Sequence, residues 1–195
     1  MDDGREKRRE KVINFEVKNL LGEVKLLSPF YMEDERGYFL KTIEKDVFKK
    51  WGLNVEIQEI FETYSKQKVI RGLHFQTKDP QTKIVRVIKG RIHDVVVDLR
   101  KGSPDFGKSL DVILNDEERN SLWIPAGFAH GFEVLSEDAL VSYQCIGKYQ
   151  KEFDTGICWN DKELAVKWET KDPIVSDKDA ALMSFREFVE KYGGL

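Results

Sequence analysis

The sequence predicts an all-β fold, a sandwich or small barrel with a short helix in its N-terminal half and a second helix at its C-terminus. Three observations predict it. Between residues 55 and 146, short runs rich in Val, Ile and aromatic residues recur, separated by Gly, Pro, Asp and Asn. Within RIHDVVVDLR, side chains alternate strictly, with Ile92, Asp94, Val96 and Asp98 on one face and His93, Val95, Val97 and Leu99 on the other. Only residues 43–51 and 176–192 show helical spacing.

Residues 1–12 are densely charged, lack an apolar stretch, and read as a flexible tail rather than a secretory signal. The remainder, 13–195, reads as a single domain. Residues 13–27 suggest strands around a turn at Gly22, and residues 34–42 a turn at Arg36-Gly37 leading into a strand. In IEKDVFKKW, Ile43, Val47, Phe48 and Trp51 share one helical face, and Gly52 follows as a stop. VEIQEIF, VIRGLHFQ, KIVRVIKG, RIHDVVVDLR, SLDVIL, SLWIPAGF, HGFEVL and ALVSYQCIG then read as strands. KIVRVIKGRIHDVVVDLR reads as a hairpin turning at Lys89-Gly90. The stretch from Ser176 to Tyr192 reads as one capped helix ended by Gly193-Gly194.

Composition narrows the function. A net charge of −3 argues against general nucleic-acid binding. No apolar run has the length needed to span a bilayer, so no membrane partner is expected. The two cysteines, Cys145 and Cys158, cannot build a disulfide framework, which points to a reducing cytoplasm.

Several polar residues sit where a β core does not need them. VIRGLHFQ carries Arg71, His74 and Gln76. Arg71 and His74 are three apart and point to opposite faces of a regular strand, unless Gly72 bulges it. His93 and His130 lie in other β runs, Lys83 at a strand start, Tyr143 inside ALVSYQCIG, and Asp179 beside a helix start. Each has an ordinary structural reading: a hydrogen-bonded core histidine, a solvated lysine, a half-buried tyrosine, a helix cap. A three-histidine metal site is disfavoured because Gln76 stands where an HxH pair needs its second ligand. Together the residues supply a base, a cation and a phenol. These are the groups needed to remove a proton beside a carbonyl, hold the enolate and return a proton.

RGYF, RGLHFQ, QTKIVRVIKG, HDVVVDLRKGSPDFG, LWIPAGFAHGF, VSYQC, WND and SDKD follow one another as in the dTDP-4-dehydrorhamnose 3,5-epimerase family, which this chain resembles over about residues 14–182. The resemblance implies a cupin-type jelly-roll barrel without metal or other cofactor, working as a homodimer on a nucleotide-linked 4-keto-6-deoxy sugar, dTDP most of all. It implies His74 as the base at C3 and C5, Asp179 as its carboxylate partner, Lys83 beside the enolate oxygen and Tyr143 as the acid on the opposite face. Arg71 and Arg36 would hold the diphosphate. His130 and Lys178 would line the sugar–diphosphate region, Tyr149 would stack on the base, and Gln76 and Asp154 would contact the ligand. Lys41 stands where the family has Glu, and Glu59 and Phe61 where it has Gln and Asn; Asp154 stands where Glu is commoner. These departures leave the nucleotide and the sugar open. Inversion at one carbon only, a metal-dependent cupin enzyme, and a non-catalytic sugar-nucleotide binder stand as alternatives.

Overall fold

The computed structural model describes residues 11–195. The tail expected over 1–12 lies outside the described residues except at its end. There Lys11 and Val12 belong to strand β1 (Lys11–Ile13), because they pair with Glu33 and Met32. Next come β2 (Glu16–Asn19), β3 (Lys25–Ser28), β4 (Phe30–Asp34), β5 (Gly37–Lys41) and helix α1 (Lys45–Lys50). The barrel strands are β6 (Ile57–Lys66), β7 (Ile70–Gln76), β8 (Thr82–Lys89), β9 (Arg91–Asp98), β10 (Ser109–Asn115), β11 (Ser121–Ile124), β12 (Phe128–Val134) and β13 (Asp138–Ile146). A short β14 (Asp154–Gly156), α2 (Asp177–Ala180) and α3 (Phe185–Tyr192) complete the chain.

Two antiparallel sheets face each other, ordered β10-β9-β12-β7-β14 and β2-β3-β11-β8-β13-β6, with β1-β4-β5 as a third, smaller sheet. Their inner faces share one core: Val85, Val87, Leu122, Val141 and Cys145 from one sheet meet Ile92, Val96, Leu114, Phe132 and Val134 from the other. The fold is the all-β jelly roll expected. Its outer faces are also covered. Val95, Val97 and Leu99 pack beneath Phe188 of α3, and Leu27, Ile84 and Trp123 beneath Phe48 of α1. Hence β9 is buried almost throughout despite its clean alternation.

Two expectations are corrected. The hairpin over 83–100 does not form, since β8 pairs with β11 and β13 while β9 pairs with β10 and β12. Gly90 is instead a corner where the chain leaves one sheet for the other. It has φ +86°, and a Cβ there would lie 2.2 Å from the Asp138 carbonyl oxygen. The single C-terminal helix is two. Ser176 caps α2, and Ser184 starts α3 with a reciprocal capping box to Glu187. Between them Met183 is drawn out as an extended bridge to Ile157, its carbonyl accepting from the Cys158 N–H.

Candidate active site

The site begins with an irregularity in β7. His74 pairs with His130, but Arg71 pairs with Phe132, so three steps on β7 answer two on β12. This bulge reverses the alternation and brings Arg71 and His74 to the same, inner side. Leu73 and Phe75 point outward into the core beneath α3. Gly72 makes the bulge possible. At φ +107° it crosses Gly131 so closely that a Cβ would come within 2.6 Å of the Gly131 Cα and the His130 carbonyl oxygen.

His74 Nε2 lies 2.7 Å from an Asp179 carboxylate oxygen, whose partner oxygen accepts the Gly72 N–H at 3.1 Å. Asp179 is buried and is not a helix cap; Ser176 fills that position by accepting the Asp179 N–H. Burial opposes ionisation of Asp179, but the hydrogen bonds from His74 and Gly72 and the Lys178 charge outweigh it and hold its pKa below the ordinary value. The imidazole is therefore held from behind by a carboxylate while its other edge faces a cavity.

That cavity, about 430 Å³, is lined on the His74 side by Gln76, Tyr149 and Asp154, and opposite by Glu59, Phe61, Gln81 and Lys83. The opposing wall is built by register across β6, β13 and β8. One row runs Glu59–Cys145–Lys83 and the next Phe61–Tyr143–Val85. Burial lowers the pKa of the Lys83 ammonium, while Cys145, Asp154 and Glu59 pull it back up. Beside it the Cys145 thiol is pushed up to about 11, chiefly by burial. Tyr143 is buried, and desolvation together with the Asp94 carboxylate raises its phenol far above its ordinary value, with Arg71 opposing. Its ring lies flat against Phe61, centroids 4.7 Å apart at 11°.

Of the residues singled out from the sequence, His74, Gln76, Lys83, Tyr149 and Asp154 line the cavity. Asp179 stands behind His74 and Tyr143 behind Phe61. His130 is buried, hydrogen-bonded to Asp94 at 2.8 Å, with its ring edge-on to Tyr143. Arg71 donates to the Ser65 hydroxyl and the Tyr64 carbonyl. Lys178 pairs with Asp154 at 2.7 Å at the rim. The Gln76 amide is engaged with the backbone of Asp79, Lys148 and Gln150, fastening the 148–150 loop to β7. Arg36 lies at the β4–β5 turn, paired with Asp34, and does not line the cavity. The third histidine, His93, is bonded to Glu133 on the barrel's outer face, where Glu133 also accepts the Glu169 and Thr170 N–H groups. Each histidine thus has its own carboxylate, and no group of three or more potential metal ligands occurs among the described residues. Gln81, Gly131 and Ser176 were not anticipated. The signal for Asp94 was an acid inside an apolar run, HDVVVD.

The sequence and the jelly-roll fold that carry this site match known proteins. The family model for dTDP-4-dehydrorhamnose 3,5-epimerase matches residues 18–187. A Methanothermobacter thermautotrophicus protein of that name is 42% identical over 174 residues, covering 88% of this chain and 94% of its own. A Legionella pneumophila dTDP-6-deoxy-D-glucose-3,5-epimerase in complex with dTDP-4-keto-L-rhamnose superposes with TM-score 0.85 at 35% identity, covering 89% and 94% of the two chains. A Bacillus anthracis dTDP-4-dehydrorhamnose 3,5-epimerase with TDP and PPi bound gives TM-score 0.84 at 39% identity, covering 91% of this chain and 100% of its own. With fold and sequence in agreement over nearly its whole described length, this chain belongs to the dTDP-4-dehydrorhamnose 3,5-epimerase family.

Proposed function

We propose that this chain inverts C3 and C5 of a dTDP-linked 4-keto-6-deoxyhexose of the dTDP-4-dehydro-6-deoxy-D-glucose type, through an enolate. The observation that carries the reading is His74 of β7, backed by Asp179 of α2 at 2.7 Å, across the cavity from Lys83 on the opposite sheet, with Tyr143 on the strand beside Lys83.

His74 takes the C–H proton next to the C4 ketone and becomes an imidazolium held by Asp179. The C–H electrons form the enolate double bond, and the charge moves to the C4 oxygen. A Lys83 ammonium near that oxygen stabilises the enolate more than the ketone and so lowers the barrier. Tyr143, neutral because burial raises its pKa, gives its hydroxyl proton to the opposite face of the same carbon. The ketone re-forms, and the phenolate left behind lies near Arg71 until solvent returns a proton and takes the one on His74. Repetition at the second carbon completes the inversion. Gln76, Tyr149, Asp154 and Lys178 at the cavity and its rim, with the half-buried Arg71 and the buried His130 beyond its lining, serve ligand binding in this reading.

A homodimer and a cytoplasmic location belong to the same proposal. Arg36 is assigned to the cavity of a second copy, since it does not line its own. Among the described residues no helix is long and apolar enough to cross a membrane.

Incubation with dTDP-4-keto-6-deoxyglucose in D₂O tests the reading. Deuterium is expected at C3 and C5 of the product, and His74→Ala should slow its entry by about 10²–10⁴-fold. Absence of deuterium at both carbons with folded protein refutes the proposal. Product NMR identifies which carbons are inverted.

A further inference from the structure

Within this reading, and resting on it, Phe61 holds an unassigned place. The proposed acid is not on the cavity wall. Tyr143 is only 6% exposed and absent from the lining, whereas Phe61, directly opposite it across β6 and β13, lines the cavity and is 42% exposed. The two rings are nearly parallel at 4.7 Å. A directly opposed cross-strand pair places side chains close enough for one ring to cover the other. On its remaining side Tyr143 is hemmed by the edge-on His130 ring at 5.9 Å. Of the side chains about Tyr143, which include Phe61, His130, Thr63 and Arg71, Phe61 is the one that lines the cavity. On β13 the neighbouring inward position, Cys145, is fully buried.

The positions of the two rings have a chemical consequence. His74 faces the cavity directly and can exchange a substrate proton with no rearrangement. Delivery from Tyr143 requires that Phe61 turn aside. Phe61 has room to do so because its side chain is exposed. Until it moves, an enolate formed by His74 returns to substrate by taking a proton back on the same face.

We infer that Phe61 is a specificity-determining residue: its ring closes the Tyr143 phenol off from the cavity and so sets how often proton removal by His74 ends in inversion rather than return. Phe61 makes no proton transfer itself. It acts through Tyr143, as a positioning residue.

Two measurements test this. Hydroxyl-radical footprinting of the ligand-free protein, read by mass spectrometry, needs no substrate. Oxidation at Tyr143 should rise at least threefold in Phe61→Ala and Phe61→Leu, relative to Tyr149, which is exposed in the wild type. If Tyr143 is as protected in both variants as in the wild type, the cover is something other than Phe61 and the inference is overturned, whatever the substrate. In D₂O, the ratio of inverted product to substrate that has exchanged without inversion should rise at least threefold in the same variants. Placing Phe61→Ala on a Tyr143→Phe background should abolish that rise. A ratio that stays constant or falls, or one that rises equally without the phenol, overturns the inference while leaving the epimerase reading intact. Wild-type protein that exchanges at neither carbon refutes both.

Discussion

A lysine ammonium inside a barrel loses hydration that water supplies freely, and only nearby negative charge can make good the loss. Lys83 is in this position, its pKa lowered by burial and supported by the Asp154 and Glu59 carboxylates. The sign of the consequence for folding follows from linkage. The folded pKa lies below the ordinary lysine value of about 10.4, so between the two the unfolded chain binds the extra proton. Below that window the buried charge costs stability, and the cost fades as pH rises through it. Lys83→Met should therefore leave the melting temperature at neutral pH unchanged or higher while lowering kcat about 10²–10³-fold, the scale of a lost charge-stabilising group. In the wild type, kcat/KM should fall on the alkaline side below the ordinary lysine range. Glu59→Gln removes one supporting carboxylate and should move that limb to lower pH. A limb that stays fixed would remove Glu59 from this account.

At the scale of the element, the decisive feature is the crossing of β7 over β12. Gly72→Ala forces a side chain onto φ +107° and against the Gly131 Cα at 2.6 Å. Backbone strain and overpacking each cost about 1–3 kcal/mol, so a loss of roughly 3 kcal/mol is expected. For a domain of this size that is about 6–12 °C in Tm. Ser184→Ala, which removes the α3 capping box, is the comparison, at about 1 kcal/mol. Equal shifts for the two in differential scanning calorimetry would mean that the crossing tolerates a methyl group. The strand runs and the bulge at Gly72 were legible because alternation and a misplaced glycine are local signals. Pairing was not. Residues 83–100 have the pattern of a hairpin, and nothing local records that β9 is claimed by β10 and β12. Similarly, the helical spacing over 176–192 hides the tertiary bridge from Met183 to Ile157 that divides it. In the site, each residue type was readable, but Phe61 lying over Tyr143 is a relation between two strands, which spacing within either one does not express.

For the whole molecule, the unexplained surface lies on the outward side of β6 and the β4–β5 hairpin. Ile60 is 65% exposed and Tyr64 57%, both on the β6 face opposite Phe61, and Tyr38 and Phe39 on β5 are 61% and 51% exposed. Arg86 joins the two regions. Its guanidinium is desolvated, lowering its pKa, and it interacts with both Tyr38 and Glu62. Its Nε is buried without a hydrogen-bond partner among the described residues. Large apolar side chains clustered around a partly desolvated cation, along a sheet edge with no pairing strand among the described residues, are costly to leave in water and suit burial against another copy. The expected outcome is a dimer in sedimentation equilibrium at micromolar concentration. Ile60→Lys combined with Tyr64→Glu should shift it to monomer without lowering far-UV ellipticity, since neither side chain belongs to the core. If Arg36 serves the cavity of a second copy, the same double variant should raise KM for the nucleotide sugar as it dissociates, and increasing protein concentration should restore it. A protein that remains dimeric with both substitutions would place the interface elsewhere. A monomeric variant with unchanged KM would detach Arg36 from substrate binding and leave each barrel sufficient by itself.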